Sequence, residues 1–134
     1  MSEIQTIMTA DEYGKTLVAY AQNVAQPLAK TLKTTQIRKI FTEVRKIESL
    51  WFDSDRKIDA VRRLNMLKPK MAYQAKRQEK KGISPLKPLT DALTEAINAI
   101  VAVNDQEQMD IRFKRFVELF EAILAYHKAF GAEE

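Results

Sequence analysis

The chain has 134 residues, a hydrophobic fraction of 46%, a charged fraction of 30% and no cysteine, which fits a folded domain and excludes both a disulfide-framed scaffold and a disordered polyelectrolyte. Its formal net charge of +4 is unevenly spread: residues 30–81 hold sixteen Lys and Arg against six Asp and Glu, a net of +10, whereas residues 1–29 carry −2 and residues 82–134 carry −4. No run approaches the ~18 apolar residues of a membrane span, the start lacks a signal-peptide pattern, and the missing thiols fit a cytoplasmic setting.

Residues 1–8 read as a loose N-terminal tail. Thr9-Ala10-Asp11-Glu12 then reads as a capping box, with Thr9 as N-cap and Glu12 reaching back. Tyr13, Leu17, Tyr20, Ala21, Val24 and Leu28 follow at helical spacing, and Pro27 is expected to bend or end that helix because it has no N–H. The clearest pattern comes next. With Thr34 as its cap, Ile37, Ile40, Phe41, Val44, Ile47 and Trp51 form one apolar stripe. Arg38 and Arg45 fall on one flank and Lys39 and Lys46 lie further round, because residues seven apart repeat after two turns. An exposed, merely solvated face would carry the same charges.

Asp53-Ser54-Asp55 closes that helix and places acids at the next start, where the helix dipole favours them. Ile58, Val61, Leu64 and Met66 or Leu67 continue a stripe. Pro69 predicts a kink or a break, with a helix from about 69 to 79 carrying Met71, Ala72, Tyr73 and Ala75 and stopping at Lys80-Lys81-Gly82. Ser84 and Pro85, or Pro88 as the first helical residue, open the next helix, whose stripe is Leu86, Leu89, Leu93, Ile97, Ile100 and Val101. Asn104-Asp105-Gln106-Glu107 reads as a second capping box, opening a long helix that ends with Gly131 at its C′ position. Connections are short, glycines number three, and no segment alternates with period two. The prediction is an all-α protein, a five- or six-helix bundle forming a single domain over 1–134.

Little points to catalysis. The one histidine, His127, sits in the last turn of the last helix and suits packing or a helix C-terminal charge. Asp53/Asp55 and Asp105/Glu107 sit at helix starts, and Glu118/Glu121 is an ordinary exposed pair. No His or Cys cluster would hold a metal, and no glycine-rich loop would cradle a phosphate. No catalytic residue, cofactor or metal is therefore expected.

The basic middle is more informative. Leu67 to Arg77 sets Lys68, Lys70, Lys76 and Arg77 with Tyr73 around Pro69. Lys and Arg neutralise phosphates whatever the base sequence, and tyrosine stacks on a base or sugar. Composition leaves a free-standing helical DNA- or RNA-binding protein and a helical adaptor open, although the second and third helices lack a helix-turn-helix glycine turn. Trp51, Tyr73 and Phe130 fit either core or contact surface.

Three stretches carry a more specific signal: Thr34-Thr35-Gln36-Ile37-Arg38-Lys39-Ile40-Phe41, Leu64 to Arg77 with its Leu-Lys-Pro-Lys-Met-Ala-Tyr core, and Ala125-Tyr126-His127-Lys128. Together, and in this order, they resemble the small subunit of the type III-A CRISPR effector, the Csm complex, over about residues 32–131. The type III-B small subunit is similarly helical and basic. The resemblance implies a non-catalytic antiviral-defence subunit that self-associates in a row, or as a dimer, along the guide RNA filament. Its partners would be the other Csm subunits, guide RNA and target RNA, the latter bound through the backbone without base readout. It also implies an RNA-binding set. Arg38 and Lys39 come from the first motif, and Lys68, Lys70 and Arg77 from the second; Arg45, Lys46 and Lys76 add charge beside them. Lys76 stands where the family has a small residue. All of this requires folding to gather these cations onto one exposed surface, with Arg38, Lys68, Lys70 and Arg77 neither scattered nor tied up with acids.

Overall fold

The computed structural model describes residues 2–80 and 86–133. Within them lie six helices and no strand: α1 (Glu3–Thr9), α2 (Lys15–Ala29), α3 (Thr34–Trp51), α4 (Lys57–Lys80), α5 (Lys87–Val101) and α6 (Gln106–Ala129). The protein is all-α, as its periodicity predicts.

The long α6 is the centre of the packing. It lies against α2, α3 and α5 and touches α1, while α4 bridges α3 and α5 on the other side. Aromatic side chains build the middle of the core. Trp51 stacks on Phe113 with centroids 3.9 Å apart, Phe116 and Phe120 continue along α6, and Phe41 of α3 meets Phe120 at 5.0 Å. The predicted α3 stripe holds: Ile37, Ile40, Val44, Ile47 and Trp51 are buried, and Phe41 is half-buried. Leu86, Leu89, Leu93, Ile97 and Ile100 of the α5 region are buried as well.

The expected loose tail is corrected for the described residues 2–8. They begin with Ser2 as N-cap, its side chain accepting from the Gln5 N–H, and run directly into α1. Ile4, Ile7 and Met8 are buried against the bundle, and Ser2 Oγ also donates to Glu95 on α5. Seven residues are too few to be helical alone; burial of three apolar side chains holds them.

Thr9 consequently ends a helix instead of capping one. The N-cap of α2 is Gly14, and its free first-turn N–H groups are met by Asp11, whose two carboxylate oxygens accept the Thr16 and Leu17 N–H groups at 3.1 and 2.8 Å. Gly14 makes the turn between them at φ 78°, a conformation natural to glycine. The second expected box differs too, since Asp105 and not Asn104 is the N-cap of α6. Thr34 is the first residue of α3, and Lys33 holds the cap position. There the Thr34 N–H donates to the Glu133 carbonyl at 2.8 Å, so the end of the chain covers the start of α3. Gly131 occupies C′ at φ 91°. The Gly131 and Ala132 N–H groups return to the Lys128 and His127 carbonyls, which is a Schellman motif.

Pro27 falls two residues before the end of α2, but Pro69 does not break α4, which runs unbroken from Lys57 to Lys80. A proline inside a helix costs about 3 kcal/mol. On either side of Pro69, Leu64, Leu67, Met71 and Ala75 are buried, and each large apolar side chain returns about 1.5–3 kcal/mol. Pro69 itself is exposed, so the carbonyl it leaves unpaired faces the side that water can reach. The Lys81-Gly82 stop and the Ser84-Pro85 start lie outside the described residues; Pro88 is within the first turn of α5.

Candidate nucleic-acid interface

Helices α3 and α4 form an antiparallel pair: Gln36 meets Gln74 and Gln78 at one end, Glu43 meets Lys70 in the middle, and Trp51 meets Lys57 at the other. Their outward flanks enclose a cleft of about 270 Å³ lined by Gln36, Lys39, Lys70, Tyr73, Gln74, Arg77 and Gln78. The lining holds three cations and no carboxylate. Outside the lining, Glu43 lies 3.7 Å from Lys70 Nζ. Lys39 and Arg77 make no ion pair among the described residues.

The floor of the cleft is amide. Gln78 Nε2 donates to Gln36 Oε1 at 3.0 Å, and Gln74 Nε2 reaches the Gln36 carbonyl at 3.4 Å. These bonds tie the two helices together and fix the cations on either side. Tyr73 forms part of the wall. It is 68% exposed, with the Arg77 guanidinium 5.9 Å from its ring centroid.

Two more bases extend this surface. Lys46 follows Lys39 by two turns on α3, and Arg63, Lys70 and Arg77 recur every seven residues on α4, about 10.5 Å apart. Lys46 and Arg63 are exposed. Arg63 is absent from the motif-based set, although its seven-residue spacing from Lys70 marks it.

The remaining candidates lie elsewhere, so the expectation of one common surface is corrected. Arg38 lines a separate apolar groove with Phe41, Glu121, Leu124, Ala125 and Lys128, between α3 and α6. Arg45 turns the same way. It pairs with Glu48 at 2.7 Å and Glu121 at 3.5 Å and lies over the Phe41 ring at 4.6 Å. Its hydrogen bond to Glu48, more than the nearby charges, holds its pKa above the ordinary arginine value. Lys68 points toward α5, where Nζ donates to Asn98 Oδ1 at 2.9 Å. Lys76 is exposed on α4, 3.9 Å from Glu79. The physical reason is helical geometry: a step of one or two residues turns a side chain by about 100° or 200°, which carries neighbours in sequence to different faces.

Trp51, left open between core and contact, is core at 1% exposure. His127 is fully buried, with Nε2 near the Leu28 carbonyl at 3.3 Å, so it packs between α6 and α2 and is no surface charge. Among the described residues no group of three or more His, Cys, Asp or Glu is placed to hold a metal ion, and no helix is long and apolar enough to cross a membrane.

A family model described as Csm2 Type III-A matches residues 11–133. The chain belongs to this family. Csm2 is the structural small subunit of the type III-A CRISPR-Cas complex, so the protein is a small subunit of that assembly and has the other Csm subunits as partners. No curated protein and no solved structure matches the chain. The Csm2 match spans α2 to α6 and includes every residue of the α3–α4 cleft. It begins after α1, the element that the sequence pattern also failed to signal.

Proposed function

We propose that this Csm2 family member is a non-catalytic, cytoplasmic subunit that holds RNA by its backbone through the α3–α4 cleft. In this role copies of the chain stack along the guide RNA filament and flank the groove where target RNA pairs. One observation carries the reading: three cations from two helices line a cleft that contains no carboxylate. Such a surface attracts phosphates without reading bases, and guide–target pairing supplies the sequence information, a division of labour that other guide-directed effectors share.

If each subunit neutralises about three phosphates, the log–log salt slope is about −2 per subunit on a single strand. That is weak for one copy. A row of copies makes each further contact intramolecular and raises the total, which supports an assembly role over a free-standing binder. The test is reversal of Lys39, Lys70 and Arg77 to Glu in the assembled complex. Target RNA should dissociate at moderate salt while the complex stays intact; retention equal to the unaltered complex overturns the reading.

A further inference from the structure

The cleft contains more than charge. Its wall presents the largely exposed Tyr73 ring, with the Arg77 guanidinium 5.9 Å from the ring centroid and Lys39 and Lys70 along the same opening. Its floor includes Gln78, 6% exposed, whose Oε1 has no hydrogen-bond donor although Nε2 is bonded to Gln36. Tyr73 is two residues from both Met71 and Ala75, so it faces outward from α4 while they are buried. A singly exposed ring is ordinary on a protein surface; what sets Tyr73 apart is its place in the wall of a cationic cleft. Beside Lys39 and Arg77, which make no ion pair among the described residues, and Lys70, which has Glu43 at 3.7 Å, it forms the pairing by which single-stranded nucleic acids are held, a cationic track for the backbone and an aromatic face for a base.

We propose that the α3–α4 cleft is a subsite for one unpaired nucleotide of single-stranded RNA. The phosphate sits among Lys39, Lys70 and Arg77, and the base stacks on Tyr73. The volume of about 270 Å³ and the single aromatic wall limit the subsite to one base. A duplex cannot use it fully. Its bases are paired and stacked on one another, so no base face is free, and a duplex is held by the cations alone. The subsite rests on the RNA-binding role proposed above and adds a preference that charge does not give: unpaired over paired RNA.

The experiment uses the full chain at low salt and three labelled probes of about 12 nucleotides: a single-stranded RNA, the same strand in a duplex, and an abasic ribose-phosphate strand. Fluorescence anisotropy gives the affinities of the unaltered protein, Tyr73→Ala and Tyr73→Phe. Tyr73→Ala should bind the single strand about tenfold more weakly, change duplex and abasic binding less than about twofold, and leave the salt slope unaltered, because no phosphate contact is lost. Tyr73→Phe should keep the single-strand affinity. Circular dichroism checks that both variants fold, as the exposure of Tyr73 predicts.

Equal weakening on all three probes means that Tyr73 acts through structure or charge, and overturns the subsite. Salt-dependent RNA binding that Tyr73→Ala leaves unchanged overturns the subsite and spares the backbone-binding role. Failure of the unaltered chain to bind any of the three probes overturns the subsite, while the backbone-binding role is decided separately by the charge reversals in the assembled complex.

Discussion

Trp51 Nε1 donates to Asp110 Oδ1 at 2.7 Å, and Lys57 Nζ meets the same oxygen at 2.5 Å. The bond joins the end of α3 to α6, and Lys57 brings in the first turn of α4. Lys57 also lies 4.5 Å from the Trp51 ring centroid, so one carboxylate fixes the cation and the indole at the closed end of the α3–α4 pair. This junction sets the register of the two helices and hence which cations face each other along the cleft.

Asp110 has consequences for pH. Burial pushes its pKa up, but hydrogen bonds from Lys57, Trp51 and Gln106 and the Lys57 charge together hold it below the ordinary aspartate value of 3.8. A carboxylate with a lowered pKa in the folded state stabilises the fold above its unfolded pKa and loses that contribution as pH falls through the folded value. Urea unfolding of Asp110→Ala should therefore show a deficit at pH 7 of about 1–3 kcal/mol, because the buried indole N–H loses its acceptor. The deficit should shrink below about pH 3. A deficit that is the same at both pH values would remove the ionic part of this account.

The basic residues divide by face, and the division is measurable. Arg45 is committed to Glu48 and Glu121, whereas Lys39 lines the cleft without an ion pair among the described residues. Arg45→Gln should change RNA affinity less than about twofold, and Lys39→Gln should weaken it several-fold and make the salt slope shallower by about 0.7. Anisotropy titrations of the two variants over a salt series compare them directly. Equal losses would mean that charge acts over the whole surface and that the cleft has no special part.

This division was half legible. The seven-residue spacing correctly groups Arg38 with Arg45 and Lys39 with Lys46, because two helical turns return a side chain to one flank. Which flank meets α4 and which meets α6 depends on helices 30 to 80 residues further along the chain, and local spacing contains no such information. The same limit applies at Pro69. Its local cost is visible in the sequence, but the burial of Leu67, Met71 and Ala75 that outweighs it is a tertiary effect. The α3 stripe and the Gly131 stop were legible because each depends on residues within a few turns. The glutamine floor was not, since Gln36 and Gln78 find each other only after the hairpin closes.

Gly131 tests the value of a local signal. Its φ of 91° lies in the left-handed region, and a Cβ added there meets nothing within 4 Å. Any cost of Gly131→Ala is therefore backbone strain and not collision, and should be about 1 kcal/mol. The Schellman bonds that follow it lead to Glu133, whose carbonyl accepts the Thr34 N–H. Hydrogen exchange should accordingly quicken at Thr34 as well as at residues 129–132. Protection at Thr34 equal to that of the unaltered protein would show that the α3 cap does not depend on the turn.

Helix α1 gives a direct test of stability. It leans on the bundle through Ile4, Ile7 and Met8, all buried, and the Arg115 guanidinium of α6 donates to the Ile7 carbonyl at 3.2 Å. Removing residues 1–9 would expose the surfaces that α1 covers on α2, α5 and α6. It would also leave Arg115 without that acceptor. Single truncation of a buried Ile to Ala costs about 2–5 kcal/mol, a large share of the 5–15 kcal/mol that holds a typical domain. Ile7→Ala should lower the urea midpoint clearly, and the deletion should bind a hydrophobic dye or aggregate. The cleft lies on α3 and α4, and among the described residues α1 packs on α2, α5 and α6 instead. RNA affinity of folded Ile7→Ala should therefore match that of the unaltered chain, and a midpoint that does not move would return residues 1–8 to the status of a dispensable tail.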